Sequence, residues 1–197
     1  WQAWKHQPED TRYNMVIPIS YVAKEEMEFD IGILEQCLNS LVQRHEVLRT
    51  RFIEVKNKEG VHEPRQIVDN VYEISVKHIA IEQAEFSNQQ SYLIKQAQDY
   101  VFDLSQSSAI KVWHLFSEEN DEINQHLVVL SIHHILCDAW SLQVMRNDLI
   151  ELYFSKLEKR SANLPSLDFH YADFSTWQKT NLKPTSKAFW EEQLTGA

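Results

Sequence analysis

Glycine is scarce: Gly32, Gly60 and Gly196 are the only three in 197 residues, against an ordinary usage of about 7%. Neither a phosphate-cradling P-loop nor a dinucleotide fingerprint can be assembled without closely spaced glycines, so nucleotides held by such loops are not expected. Cysteine is as rare. Cys37 and Cys137 lack Cys-x-x-Cys spacing, which argues for reduced thiols rather than a disulfide framework, and Cys37 falls on a helical pattern as a buried thiol. Positive charge is also short, with 19 Lys and Arg against 29 Asp and Glu and a formal net charge of -10. A phosphate-binding face needs the reverse, so no nucleic acid partner is expected; the basic residues gather only in a modest patch of Arg44, Arg49 and Arg51. No apolar run approaches the roughly 18 to 20 residues that cross a membrane, and the N-terminus lacks the basic-then-apolar form of a signal peptide. The expected location is cytoplasmic, with no membrane partner.

What is present suits a single globular domain: 43% hydrophobic and 24% charged residues. Tyr13 to Val22 is rich in β-formers, with Pro18 demoting it to an edge or bulged strand. Trp1 and Trp4 ahead of it read as packing anchors. Asp30 is placed to cap a helix to about His45, whose Ile31, Leu34, Leu38, Leu41 and Val42 form a core stripe. Leu48 to Val55 and His62 to Val68 flank an Asn57-to-Gly60 turn and predict a hairpin. Tyr72 to Ile79 suggests a further strand, and Ile81 to Val101 a solvent-facing helix with Phe86, Tyr92, Leu93, Ala97 and Val101 as its apolar positions. Ile110 to Phe116 and Ile123 to Ile132, separated by the acidic stretch Ser117 to Glu122, predict a second hairpin. Ser141 is expected to cap a helix to about Lys159 with Leu142, Met145, Leu149, Leu152 and Tyr153 on one face. A linker-like stretch through Pro165 then leads to Tyr171 to Gln178 and a last helix over about Ala188 to Leu194. There are no repeats.

The chemistry concentrates in Ser131-Ile132-His133-His134-Ile135-Leu136-Cys137-Asp138-Ala139-Trp140-Ser141. These residues follow the most apolar run, Leu127 to Ile132, and precede a helical pattern, so two histidines and an aspartate fall where a strand gives way to a helix, the usual place of sites in α/β folds. Neighbours on a strand face opposite ways, so His133 and His134 cannot both enter one cleft. One serves chemistry and the other packing. Asp138, in the connecting loop, is expected to hold that loop by pairing with a distant cation. A Cys137 nucleophile paired with His134, or zinc held among the nine histidines, are weaker readings: the ligand spacings are missing and Cys137 fits a small loop residue.

His-His-x-x-x-Asp-x-Trp resembles the core motif of the condensation domains of nonribosomal peptide synthetases, in the chloramphenicol acetyltransferase-like superfamily. The resemblance runs along nearly the whole chain. Trp1 with Tyr13-Asn14 looks like the end of the family's first motif, Arg44 to Phe52 is close to the second, His133 to Ser141 is the third, and Tyr171 to Gln178 looks like the fourth. Phe102-Asp103-Leu104-Ser105 and Phe189 to Leu194 match less specific stretches. Any one match is weak, and the ordered set is strong.

The resemblance implies an α/β fold, a two-layer sandwich lobe with a mixed, mostly antiparallel sheet packed with helices. It implies that residues 1–197 are the N-terminal lobe, with the C-terminal lobe that completes a tunnel absent from this chain. Starting at Trp1, short of the first strand's expected beginning, the chain is read as a fragment of a synthetase. The implied reaction is amide formation: a donor acyl or peptidyl group passes from a carrier-protein thioester to the amine of an acceptor aminoacyl thioester. The implied partners are donor and acceptor carrier proteins, whose phosphopantetheine arms deliver the reactants, and neighbouring synthetase domains, with no metal or cofactor of its own.

Residue by residue, the resemblance makes His134 the catalytic position and His133 structural. It pairs Asp138 with an arginine, Arg49 or Arg44. Trp140 is expected as a core anchor at the helix entry. The family usually has glycine where this chain has Ala139; a methyl group there either sits on an ordinary backbone or narrows the tunnel beside His134. Heterocyclising relatives carry aspartate where the histidines stand, so amide formation is preferred over ring closure; ester formation and epimerisation stay open. The rival is a non-catalytic member of the superfamily that binds a carrier protein or partner enzyme as a scaffold. Such members tend to lose the second histidine, which this chain keeps.

Overall fold

A computed structural model describes residues 1–22, 29–119, 122–181 and 184–196. The chain divides into two units, Trp1–Pro165 and Ser166–Ala197. In the first, a short helix α1 (Gln2–His6) precedes β1 (Asn14–Val22) and α2 (Ile31–Arg44), followed by β2 (Thr50–Lys56), β3 (His62–Val68), β4 (Val76–Glu82), α3 (Phe86–Gln98), β5 (Ile110–Glu119), β6 (Glu122–His133) and α4 (Ala139–Leu157). The second unit carries α5 (Tyr171–Asn181), which holds the fourth motif, and α6 (Pro184–Gln193).

The sheet is mixed and mostly antiparallel, in the order β1-β6-β5-β4, with β4 alone running parallel to its neighbour. Pro18 stands opposite Val129 on the edge strand β1, where a missing N–H is tolerated. β2 and β3 form the expected hairpin. Its turn is held by Asn57, whose Oδ1 accepts from the amides of Glu59 and Val61 at 2.9 Å each, while Gly60 takes φ +80°, a conformation that suits a residue without Cβ.

Because β6 is apolar on both parities, both faces of the sheet need cover, and both receive it. Val112, Val128, Leu130 and Ile132 join Leu34, Leu38, Leu41 and Val42 of α2 and Met145 of α4 in one core. Trp113, Leu115, Leu127 and Val129 join Phe86, Leu93 and Ala97 of α3 in the other. Asp30 caps α2, accepting from Ile33 N at 2.9 Å, as its sequence position predicts. Trp1 and Trp4 do pack, with centroids 4.9 Å apart, and Trp4 Nε1 donates to Phe102 O at 3.2 Å.

Three local expectations are corrected. The strand suggested from Tyr72 begins only at Val76, because the preceding residues are claimed by α2: Ile74 N donates to Asn39 Oδ1 at 2.8 Å. The hairpin's first strand starts at Thr50, with Glu46–Arg49 forming a 3₁₀ turn instead. Tyr92 of α3 is exposed, one position off the stripe made by Phe86, Leu93 and Ala97. The tip of the second hairpin, residues 120–121, lies outside the described residues.

Candidate active site

The site is built where β6 ends. Its last residue, His133, donates its amide to Ala109 O at 3.0 Å, and the next amide, His134 N, donates to Tyr13 O at 2.8 Å. These two bonds, to the loop before β5 and the residue before β1, fix the backbone as the chain leaves the sheet. Leu136 N then donates back to His133 O at 3.0 Å and closes the turn.

The two histidines divide as the strand alternation requires. His133 is buried, with Tyr13 and Phe102 at ring centroids of 6.0 and 6.4 Å. Its Nδ1 accepts from Ile135 N at 3.1 Å, which places the neutral ring's proton on Nε2; that atom is buried and unpartnered among the described residues. Burial pushes its pKa down to about 4, so the ring is neutral near pH 7. His134 is exposed, its main chain pinned and its imidazole at the surface beyond the strand end.

After the turn, Leu136 and Cys137 are buried. Burial, with the Asp138 carboxylate adding to it, pushes the Cys137 thiol up to about 12. That is the reverse of an activated nucleophile, and it removes support from the cysteine reading.

Asp138 differs from expectation. It is the N-cap of α4, its Oδ1 accepting from Ser141 N at 2.8 Å and from Ser141 Oγ at 2.7 Å. The backbone bond, then the hydroxyl, hold its carboxyl below the usual range. Ser141 is therefore the capped partner at the third helical position, not the cap. Among the described residues no ion pair joins Asp138 to either arginine. Arg44 Nε instead reaches Asp148 Oδ2 at 2.8 Å, and its Nη2 donates to Pro165 O at 2.6 Å. Arg49 donates to Asp69 O at 2.5 Å and pairs with Glu46 at 3.2 Å. The physical reason lies in burial: Asp148 is 7% exposed and cannot keep its charge without partners, whereas the exposed Asp138 is satisfied by the helix start.

Ala139 is the first residue of α4, and Lys159 is the only described non-glycine residue at positive φ. The alternative left open by the sequence resolves toward an ordinary helical backbone. Its methyl lines a groove of about 550 Å³ with Ile17, Pro18, Leu142 and Met145. Trp140 is 79% exposed and is not a core anchor within this unit. It precedes the buried Met145 by five positions, roughly 140° around the helix.

Asp148 is a residue that motif reasoning misses. It accepts from both Arg44 Nε and His45 Nε2, the latter at 2.9 Å, and so ties the end of α2 to the middle of α4. Its signal is a carboxylate three residues after Met145, inside the apolar face of α4.

Comparison with known proteins agrees with this fold. The family model for the condensation domain matches residues 1–197. One of the linear gramicidin synthase proteins of Brevibacillus parabrevis is 28% identical over 189 residues, which cover 95% of this chain and 3% of that protein. The starter condensation domain of the rhizomide synthetase RzmA superposes with a TM-score of 0.76 at 15% identity, covering 98% of this chain and 45% of that one. The X-domain in its complex with OxyB from teicoplanin biosynthesis gives 0.73 at 19%, covering 100% and 42%. The chain thus spans less than half of each of these solved structures and a small fraction of the synthase. Matched by the family model from end to end, it belongs to the condensation domain family.

Proposed function

We propose that this chain is the N-terminal lobe of a peptide-bond-forming condensation domain and that it supplies His134 to a tunnel completed by a second lobe. By itself the lobe is inactive, since half of the tunnel wall is missing. The observation that carries the reading is the division at the end of β6: His133 buried and neutral, His134 exposed on a backbone held at both neighbouring amides.

In the proposed reaction the amine of the acceptor aminoacyl thioester attacks the donor thioester carbonyl. A C–N bond forms, the C–S bond breaks, the amine loses a proton and the departing phosphopantetheine thiolate gains one. Both thioesters arrive on partner carrier proteins. An imidazole with a reference pKa of about 6.5 is suited to accept a proton or hydrogen bond from that amine. A general base is typically worth ~10² to 10⁴-fold, whereas holding two reactants in line supplies roughly 7 to 11 kcal/mol. Positioning by the tunnel therefore contributes more to the rate than His134 does.

The test is peptide formation by the intact two-lobe domain with loaded donor and acceptor carriers. Product that depends on both carriers supports the reading. A domain that binds carriers and forms no product supports the scaffold alternative, which the likeness to an X-domain found in complex with OxyB keeps in view and the presence of His134 opposes.

A further inference from the structure

Away from the β6 end, three histidines and a glutamate form a continuous chain across four elements. His78 Nε2 lies 3.0 Å from Glu35 Oε1, His78 Nδ1 lies 3.1 Å from His114 Nδ1, and His114 Nε2 lies 2.9 Å from His126 Nδ1. Glu35 is on α2 and the rings are on β4, β5 and β6; His78 and His114 face each other in register. Glu35 and His78 are partly exposed, while His114 and His126 are 2% and 5% exposed. The inner rings border a cavity of about 590 Å³ walled by Phe29, Ile31, Phe116 and Leu157. The nitrogens meet pairwise and do not converge, and among the described residues no group of three or more ligating side chains is placed to hold a metal ion.

We propose that Glu35, His78, His114 and His126 form a proton-linked clamp that holds the edge strand β4 against β5 and releases it in acid. The hydrogen-bond arithmetic decides how many protons the clamp tolerates. With all rings neutral, the Glu35 carboxylate requires the proton of His78 on Nε2, which leaves Nδ1 an acceptor. His114 must then donate from Nδ1 and accept at Nε2, and His126 must donate from Nδ1. One tautomer of each ring satisfies every contact. A single added proton also fits, because the donors can all reverse and the positive charge can rest on His78 beside Glu35. A second cannot: every arrangement of two imidazolium rings sets N–H against N–H in at least one contact.

The surroundings set the balance. Glu35 and Asp30 supply negative charge from α2 and its cap, although Asp30 is occupied by the helix start. Tyr21 of β1 stands 6.1 Å from His126 by ring centroids. On α4, Tyr153 accepts from Asp30 N at 3.0 Å and Lys156 donates to Gln36 at 3.1 Å. Burial pushes His114 down to about 4, with His126 and His78 adding to the shift, and it lowers His126 as well. The clamp is therefore closed near neutrality. Among the described residues β4 has only β5 beside it in the sheet, so it is the strand that loses most when the chain breaks.

The experiment is hydrogen exchange read by mass spectrometry on the intact condensation domain, between pH 7.5 and 4.5. Protection of the β4 amides, corrected for intrinsic rate, is expected to fall by about tenfold or more over this range while β6 stays protected. Exchange of the histidine C2 hydrogens, read in the same samples, is expected to show His114 and His126 gaining protons in step with that loss. His78→Gln leaves the buried rings in place and removes one titrating member, so β4 release moves to lower pH. Protection of β4 that stays flat to pH 4.5, rings that each titrate near 6.5 without effect on β4, or an unshifted release in His78→Gln would each overturn the clamp.

Discussion

Arg44 Nε lies 2.8 Å from Asp148 Oδ2, and the same oxygen accepts from His45 Nε2 at 2.9 Å. This is what the Arg-His-Glu motif does in the fold: it pins the C-terminal end of α2 to the face of α4 whose N-terminus follows His134. All three side chains are at least four-fifths buried, so removing the acceptor strands two donors. Asp148→Ala is expected to lower stability by about 3 kcal/mol, and Asp138→Ala, which deletes an exposed cap, by less. Urea unfolding of the intact domain reads both; a larger loss for Asp138→Ala contradicts the assignment.

The pH dependence follows from rings held neutral. His133 and His114 are both pushed down to about 4 by burial, while in the unfolded chain they titrate near 6.5. Between those values the unfolded state binds more protons than the folded one, so stability falls as pH drops from about 7 to 4. Unfolding near pH 5 is expected to take up roughly two protons from these two rings. Calorimetry in buffers of different ionisation enthalpy measures that number, and an uptake near zero contradicts it.

Much of the fold is legible in the sequence because the chain obeys simple periods. The β-rich Tyr13 to Val22, the α2 stripe, both hairpins and the split between His133 and His134 each follow from alternation or helical spacing. Partner choice does not. The sequence position of Asp138 points to a distant cation, which the family resemblance makes an arginine, because it does not reveal that Ser141 satisfies the carboxylate locally, and Trp140 reads as a core residue because an aromatic near a helix start looks alike on either face. The histidine chain is invisible in sequence because His78, His114 and His126 are far apart and meet only through the parallel pairing of β4 with β5 and the antiparallel pairing of β5 with β6.

The thiols are expected to be inert. Burial raises both Cys37 and Cys137, the latter to about 12, so iodoacetamide at pH 8 labels neither until denaturant is added. Rapid labelling of Cys137 in the native protein would revive it as a nucleophile.

Ala139→Gly tests whether the methyl restricts the site. Because Ala139 already has helical backbone, glycine is expected to leave the rate of product formation within a few-fold of native and to cost up to about 1 kcal/mol of helix stability. A rise of an order of magnitude in rate would mean that the methyl narrows the reaction space.

The most direct measurement is the single-turnover rate of peptide-bond formation by the intact condensation domain with loaded donor and acceptor carriers, native against His134→Ala. A loss of ~10² to 10⁴-fold is expected, with carrier binding unchanged and residual product above background. A rate equal to native in His134→Ala would contradict it.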